Sequence, residues 1–416
     1  MYRISMKTLL ILFFCLLTFP VGAQQAYKAL VVDDETGDPL SYAKIHTEGG
    51  RSVLANKDGR FAVETAEDDI IHVSYVGYEV KTIKAKDLGR EIRLKPLSTN
   101  LGEVQVLSTE HILLKLISRL NKENSKNEYA KSHYFMRMTT LDSQGDNVVV
   151  EMFVRAHSTI NLNHLVFIDG QCFSQDSKEK NKKSTPTLAQ SNLLKVLALS
   201  PGIPPGCRND LSAGLNLPLP EWAKTIDDLR GRQISRQTLQ SETGQGIYKV
   251  EIQVDPAESA RSVRKKNVSD APLSYTQAMS GTLYIDEKNG NLLSFDGEVT
   301  GFYMKEYYKQ GEKTIPVEIK MHIDFEHERH FTEPSVLRFV LKYKNKETRI
   351  VAFKVDDNTL IDGTPLYRSS GFLAENNMMR RCRINDENPS WPKDIILRSE
   401  EEEIIAKETM GTRNGE

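Results

Sequence analysis

Cysteine is scarce in this chain, four among 416 residues, and no two stand in a C-x-x-C pair. That excludes a zinc ribbon and a thioredoxin-type redox motif, since both need closely spaced thiolates. Long apolar runs are missing as well. The one run of note, Leu9 to Phe19, is about eleven residues against the ~20 that a membrane-spanning helix requires, which argues against an integral membrane protein. Neither sign of charge dominates: 55 basic and 57 acidic residues give a net charge of −2, without the basic excess expected of a nucleic-acid binder. A Walker loop, a G-x-S-x-G elbow and a dinucleotide fingerprint are also lacking.

What is present begins with a secretory leader. Arg3 and Lys7 precede the apolar run, and Val21-Gly22-Ala23 supplies the small residues a signal peptidase reads, so cleavage is expected before Gln24. Cys15 lies inside the run and is read as part of the leader, not as a lipid-attachment site. The mature chain loses two basic residues, leaving 53 against 57 and a charge of −4. It keeps Cys172, Cys207 and Cys382, of which one pair could form a disulfide after export while a third thiol is left over.

From Tyr27 to Pro96, short β-like runs alternate with turn residues. Strands are expected at Tyr27 to Val32, Leu40 to Thr47, Arg60 to Thr65, Ile70 to Val76, Glu79 to Lys84 and Glu91 to Leu94, separated by turns such as Thr36-Gly37-Asp38-Pro39 and Asn56-Lys57-Asp58-Gly59. Strands at this spacing predict a β-sandwich. With Ala43, Ile45, Phe61 and Val73-Ser74-Tyr75-Val76-Gly77-Tyr78, these motifs closely resemble the carboxypeptidase-regulatory-like domain, a transthyretin-like sandwich of exported proteins in Bacteroidota-type bacteria. The resemblance covers about seventy residues and implies a non-catalytic module. Two local motifs inside it are discounted. Ser41-Tyr42-Ala43-Lys44 matches S-x-x-K but begins a strand where a helix is needed, and Asn56 to Gly59 lacks the later ligands of a calcium loop.

The rest of the chain reads as a linker over 98–109 and a β-rich domain over 110–416. Ile112, Leu113, Leu116, Ile117 and Leu120 predict a helix near 110–122, and a second is expected near 188–199. Strands are expected at Tyr134 to Leu141, Val148 to Ala156, Leu165 to Phe173, Tyr248 to Val254, Leu337 to Tyr343 and Arg349 to Val355. Gly281 to Ile285 should pair with Leu292 to Val299 across Asn289-Gly290. Val317 to Phe331 alternates cleanly between apolar and polar residues, and Ser399 with Glu402 resembles a capping box for a C-terminal helix. Tyr134 to Arg137, Glu151 to Val154, Gly281 to Asp286 and Trp391 resemble motifs of uncharacterised envelope proteins that carry the same first module. The strand rhythm is similar to the half-barrel of periplasmic lipoprotein carriers, from which a lysine-rich insert and a proline-rich loop depart.

Candidate chemistry is sparse. The polar face His322, Asp324, Glu326, Glu328, His330 offers metal-ligand types, but same-face neighbours on a strand lie ~6.5 Å apart, so a solvated sheet face accounts for them better. His327-Glu328-Arg329-His330 is not H-E-x-x-H. Cys172 and Cys207 would need a histidine close in space to act as nucleophiles. Lys178 to Lys183 and Arg261 to Lys266 read as solvated loops, with acidic lipid headgroups as the other reading. Carboxylate pairs for glycoside hydrolysis cannot be located from sequence.

The expectation is a mainly β protein, a seven-strand-type sandwich followed by a larger antiparallel β-rich domain with a few helices, exported to the periplasm or the outer membrane's periphery. It is read as non-enzymatic, with no catalytic or metal residues and no cofactor, binding an apolar ligand such as a lipid, or an outer-membrane protein partner, and no nucleic acid. A structural interaction protein and an envelope hydrolase are the alternatives.

Overall fold

Strands account for most of the described chain, as the alternation implies. The computed structural model describes residues 25–100, 108–124, 130–143, 145, 147–158, 162–175, 217–219, 223–255, 278–308, 311–328, 331–356, 382–384 and 388–411. The described residues fall into two units, the smaller drawn from Met1–Ser74, Val80–Leu94 and Asp394–Leu397, the larger from Tyr75–Glu79, Lys95–Lys393 and Arg398–Glu416.

The smaller unit holds β1 (Gln25–Asp33), β2 (Lys44–Thr47), β3 (Ser52–Leu54), β4 (Arg60–Thr65), β5 (Ile70–Ser74), β6 (Lys81–Lys84) and β7 (Glu91–Leu94). They form a three-stranded sheet in the order β4-β1-β7 and a four-stranded sheet in the order β3-β2-β5-β6. All neighbours are antiparallel except β1 and β7. Alternate residues, among them Val31, Ile45, Phe61, Val63, Ile71, Val73 and Ile92, are almost fully buried and make the apolar interior. The Asn56 turn has a local cause: its Oδ1 accepts hydrogen bonds from the backbone N–H groups of Asp58 and Arg60 at 3.0 and 2.9 Å. Gly59 there takes φ +75°, and a Cβ would meet the Val31 carbonyl at 2.7 Å, so glycine is required twice over. A contribution that sequence did not anticipate comes from Asp394–Leu397, where Ile396 bridges Leu54 in parallel and Asp394 pairs with Arg51.

The larger unit holds β8 (Ser98–Asn100), α1 (Thr109–Asn124), β9 (Ala130–Asp142), β10 (Val148–Ser158), β11 (Leu162–Ser174), β12 (Arg232–Gln240), β13 (Gly246–Val254), β14 (Ala278–Asp286), β15 (Leu292–Tyr308), β16 (Gly311–Glu328), β17 (Phe331–Tyr343), β18 (Lys346–Val355), β19 (Arg383–Ile384) and α2 (Glu400–Gly411). Its twelve strands form one sheet in the order β19-β11-β10-β9-β18-β17-β16-β15-β14-β13-β12-β8. Two meanders, β9 to β11 and β12 to β18, are joined where β9 pairs with β18. Neighbours are antiparallel apart from β11 and β19. Hairpin chemistry sets the register locally: β14 and β15 turn at Asn289-Gly290 with Gly290 at φ +69°.

The mainly β, antiparallel architecture expected from sequence is the one observed. Two details differ. Residues 98–100, read as linker, add an edge strand to β12, and β12 itself (RQISRQTLQ) carries too little apolar alternation to be recognised. The helix expected near 188–199 lies outside the described residues. At the other end of the chain, Ser399 and Glu402 close a capping box on α2: the Ser399 N–H donates to Glu402 Oε2 at 2.9 Å and the Glu402 N–H to Ser399 Oγ at 3.4 Å.

Candidate functional site

The two faces of the large sheet differ in chemistry, and each is built by register. One face is apolar. Along one row of partnered residues it runs Ile252, Gly281, Gly297, Met321, Phe339, Ile350, Met138, Val150, Cys172, from β13 across to β11. The neighbouring row runs Val250, Leu283, Phe295, Ile323, Leu337, Ala352, Met136, Met152 in the same direction. Gly281 and Gly297 leave room for the Phe295 ring, which a Cβ at Gly297 would meet at 2.2 Å. Val317, Ile319, Met321, Ile323 and Phe325 all belong to this buried face, as their alternation predicts.

Helix α1 lies on it through Leu113, Leu116, Ile117 and Leu120, each at most 3% exposed. Polar contacts fix its angle. Arg119 donates to the Gly290 carbonyl at 2.6 Å and to Asn291 Oδ1 at 2.9 Å in the β14–β15 turn, and Glu123 Oε2 accepts the Thr332 N–H at 3.0 Å. Five methionines, Met136, Met138, Met152, Met279 and Met321, contribute to the buried apolar cluster. Methionine is flexible and polarizable, the side chain used where an apolar surface must adapt to what it holds.

The opposite face mixes polar and charged groups with the rings of Phe135, Phe153 and Phe353 and is buried over much of its length. One row of partners runs Asp296, His322, Arg338, Val351, Arg137, Glu151, Gln171. Sequence places His322 on a solvated face. The structure corrects this: His322 is 7% exposed, whereas Glu318 and Lys320 on the same face are open to solvent. The cause lies on the adjoining strand and above the ring. Nδ1 of His322 is 2.5 Å from Asp296 Oδ1, Nε2 is 2.9 Å from Asp324 Oδ1, and the Tyr75 ring stacks on it at 6.4 Å and 11°.

Burial alone would lower the His322 pKa, but Asp324 and Asp296 outweigh it, with Arg338 opposing them, and the net direction is up. The partner shifts in the complementary sense: burial raises Asp324, while His322 and Arg338 bring it below its ordinary value. A raised imidazole contributes stability that is complete below its unfolded value of 6.5 and is lost as pH rises through the folded value. The stability difference between the wild type and His322→Gln, measured by chemical denaturation, should therefore shrink as pH rises into the alkaline range. A difference that grows with pH would contradict the assignment.

The remaining sequence candidates do not converge. Glu326 pairs with Lys354 at 3.3 Å, and Lys354 also meets the buried Glu333 at 2.6 Å. Glu328's side chain and His330 lie outside the described residues, as do Cys207, Lys178 to Lys183 and Arg261 to Lys266. Among the described residues no group of three or more histidines, cysteines and carboxylates is arranged to hold a metal. Ser41 of the S-x-x-K match donates to the carbonyl of Lys57, in the Asn56–Gly59 turn.

Cys172 and Cys382 are both buried in the apolar cluster. Burial pushes Cys172 up to about 12, and burial together with Cys172 and Asp169 raises Cys382 further. Such thiols stay protonated at neutral pH and are poor nucleophiles. In a Cys207→Ser background, a thiol-specific chromogenic reagent should label neither residue in the native protein and both in denaturant. Labelling of neither in denaturant would mean a disulfide instead.

Among the described residues, the fold and the face together define a class: a large, mainly antiparallel sheet, apolar on one side, with α1 seated on that side. No protein-family model matches the chain, and no curated protein does. Among solved structures, a LolA superfamily protein from Nitrosomonas europaea is 12% identical, with 59% of this chain and 94% of that chain covered, at a TM-score of 0.19. A DUF1329 family protein from Desulfovibrio piger is 10% identical, with 60% and 95% covered, at the same TM-score. Similarity at this level bears on neither ligand nor activity.

Proposed function

We propose that the larger unit is a non-catalytic binder of an apolar ligand, an acyl chain in the first instance, within an exported protein of the cell envelope. The observation that carries this reading is the pair of apolar rows from β13 to β11 and from β13 to β10, with their methionines, on a sheet of twelve strands. Sheets of this size tend to curl, and in this reading the apolar face is the inner, concave one. Such a surface holds an acyl chain by removing apolar area from water, about 25 cal/mol per Å², and needs few polar groups to do so. The high pKa of the two described cysteines and the pairing of His322 with carboxylates leave neither as a ready nucleophile or base. The smaller unit, whose motifs resemble a non-catalytic accessory domain, serves as the docking module.

Solvent-stripped protein should raise the emission of a dansyl-labelled fatty acid saturably, and unlabelled long-chain fatty acid should displace it. Met152→Trp, which keeps the face apolar while filling part of it, should weaken the binding. A signal that neither saturates nor is displaced would overturn the reading and favour a structural interaction protein.

A further inference from the structure

The smaller unit carries a histidine pair that the ligand-binding reading does not use. Register places Ser52, His46, His72 and Thr82 in one row across all four strands β3, β2, β5 and β6. His46 stands between the fully buried Ile45 and Thr47, so alternation turns it outward, where it is exposed; the His72 side chain is 35% exposed. The imidazole planes are 22° apart, with centroids 6.5 Å from each other.

Each ring is held from its outer side by a hydroxyl. His46 Nδ1 is 2.9 Å from Ser52 Oγ, and His72 Nδ1 is 3.1 Å from Thr82 Oγ1. These two strands flank the pair on opposite sides, and the two nitrogens of an imidazole sit across the ring from each other. With both Nδ1 atoms engaged outward, both Nε2 atoms are turned toward the space between the rings. A carboxylate reaches the same space, with Glu48 Oε1 3.8 Å from His72 Nε2.

We propose that His46 and His72 form a two-imidazole site for a late first-row divalent cation, zinc or copper, with Glu48 and water completing the shell. The chemistry fits the residue types. Imidazole suits these ions, and a ligating histidine commonly donates its second ring N–H to an oxygen, which fixes the tautomer and leaves the other nitrogen's lone pair for the metal. Ser52 and Thr82 supply those acceptor oxygens. Two imidazoles on one tetrahedral ion, with Zn–N distances near 2.0–2.1 Å, bring their centroids to about 5 Å. Closing from 6.5 Å needs only side-chain rotation at a solvent-facing position. The three groups are not preset around one point, so the site is a chelate that closes on its ion and binds reversibly.

Untagged mature protein should bind one Cu2+ per chain in isothermal titration ahead of weaker background sites. The electron paramagnetic resonance spectrum should show coupling to two imidazole nitrogens. Zn2+ should compete for the same site. His46→Gln and His72→Gln, both at solvent-facing positions and each checked for native circular dichroism, should each weaken this event by about tenfold or more, and Ser52→Ala by a smaller factor. An unchanged titration in either histidine variant, or a spectrum with one nitrogen, would overturn the proposal, as would the lack of a distinct first site.

Discussion

Glu151→Ala is expected to cost about 3–5 kcal/mol of stability, enough to unfold a marginal domain. Glu151 is 1% exposed on the polar face of β10 and is surrounded by donors. Arg137 reaches Oε1 through Nε at 2.9 Å, Arg398 holds both oxygens at 3.0 and 2.8 Å, and Gln171 Nε2 donates to Oε2 at 2.7 Å. Arg137 also meets Glu402 at 3.4 Å, and Thr139 donates to Glu402 at 2.6 Å, so the group ties β9, β10 and β11 to the capped start of α2. Two guanidiniums and the two buried carboxylates balance, with the more exposed Glu403 3.9 Å from Arg398. Removing one carboxylate leaves a buried positive charge with no compensation, which is why the loss should exceed that of any exposed ion pair.

Acid should produce the same loss gradually. Burial pushes Glu151 up, yet Arg137, Arg398 and Gln171 outweigh it and hold its pKa at about 2, against 4.5 when unfolded. The carboxylate therefore contributes stability that is complete above 4.5 and disappears as pH falls toward 2. Denaturation of the wild type should show this decline across that window, and Glu151→Gln should flatten it. An equal acid slope in both proteins would show that other groups govern acid unfolding.

Phe135→Ala should cost about 3–5 kcal/mol, the range for deleting a fully buried aromatic ring. Phe135 is completely buried and meets Phe153 edge-on at 5.4 Å and 66°. Trp391 covers both rings, at 6.3 Å from Phe135 and 5.1 Å from Phe153, and the Arg137 guanidinium lies 5.6 Å from the Phe135 centroid. Loss of Phe135 removes packing shared by β9, β10 and the segment bearing Trp391, so a Phe135/Trp391 double-mutant cycle should show coupling of about 0.5–1.5 kcal/mol. With Trp222→Phe in the background, Trp391 emission should shift to the red in Phe135→Ala. Full additivity of the two substitutions would contradict the shared cluster.

Features carried by local pattern were legible in the sequence. Val317 to Phe325 alternates with the strand period and is buried as it reads, α1 follows its helical spacing, and the Asn289-Gly290 turn and the Ser399–Glu402 capping box stand where their residue types require. What escaped depends on register between distant segments. His322 looked solvated because Asp296, its cross-strand partner, is recognisable only once β15 and β16 are paired. The Glu151 cluster joins residues 14 and 247 positions apart. The His46–His72 pair likewise arises only when β2 and β5 are set side by side. Strand β12 escaped for a different reason, since its alternating positions carry arginine, serine and glutamine in place of apolar residues.

Native mass spectrometry of the mature protein, purified from exporting cells without detergent and followed by solvent extraction, tests the ligand-binding claim most directly. The account predicts a stoichiometric apolar adduct that leaves on denaturation and is recovered as an acyl-containing species in the extract. A bare protein mass, unchanged after incubation with total envelope lipid, would contradict it.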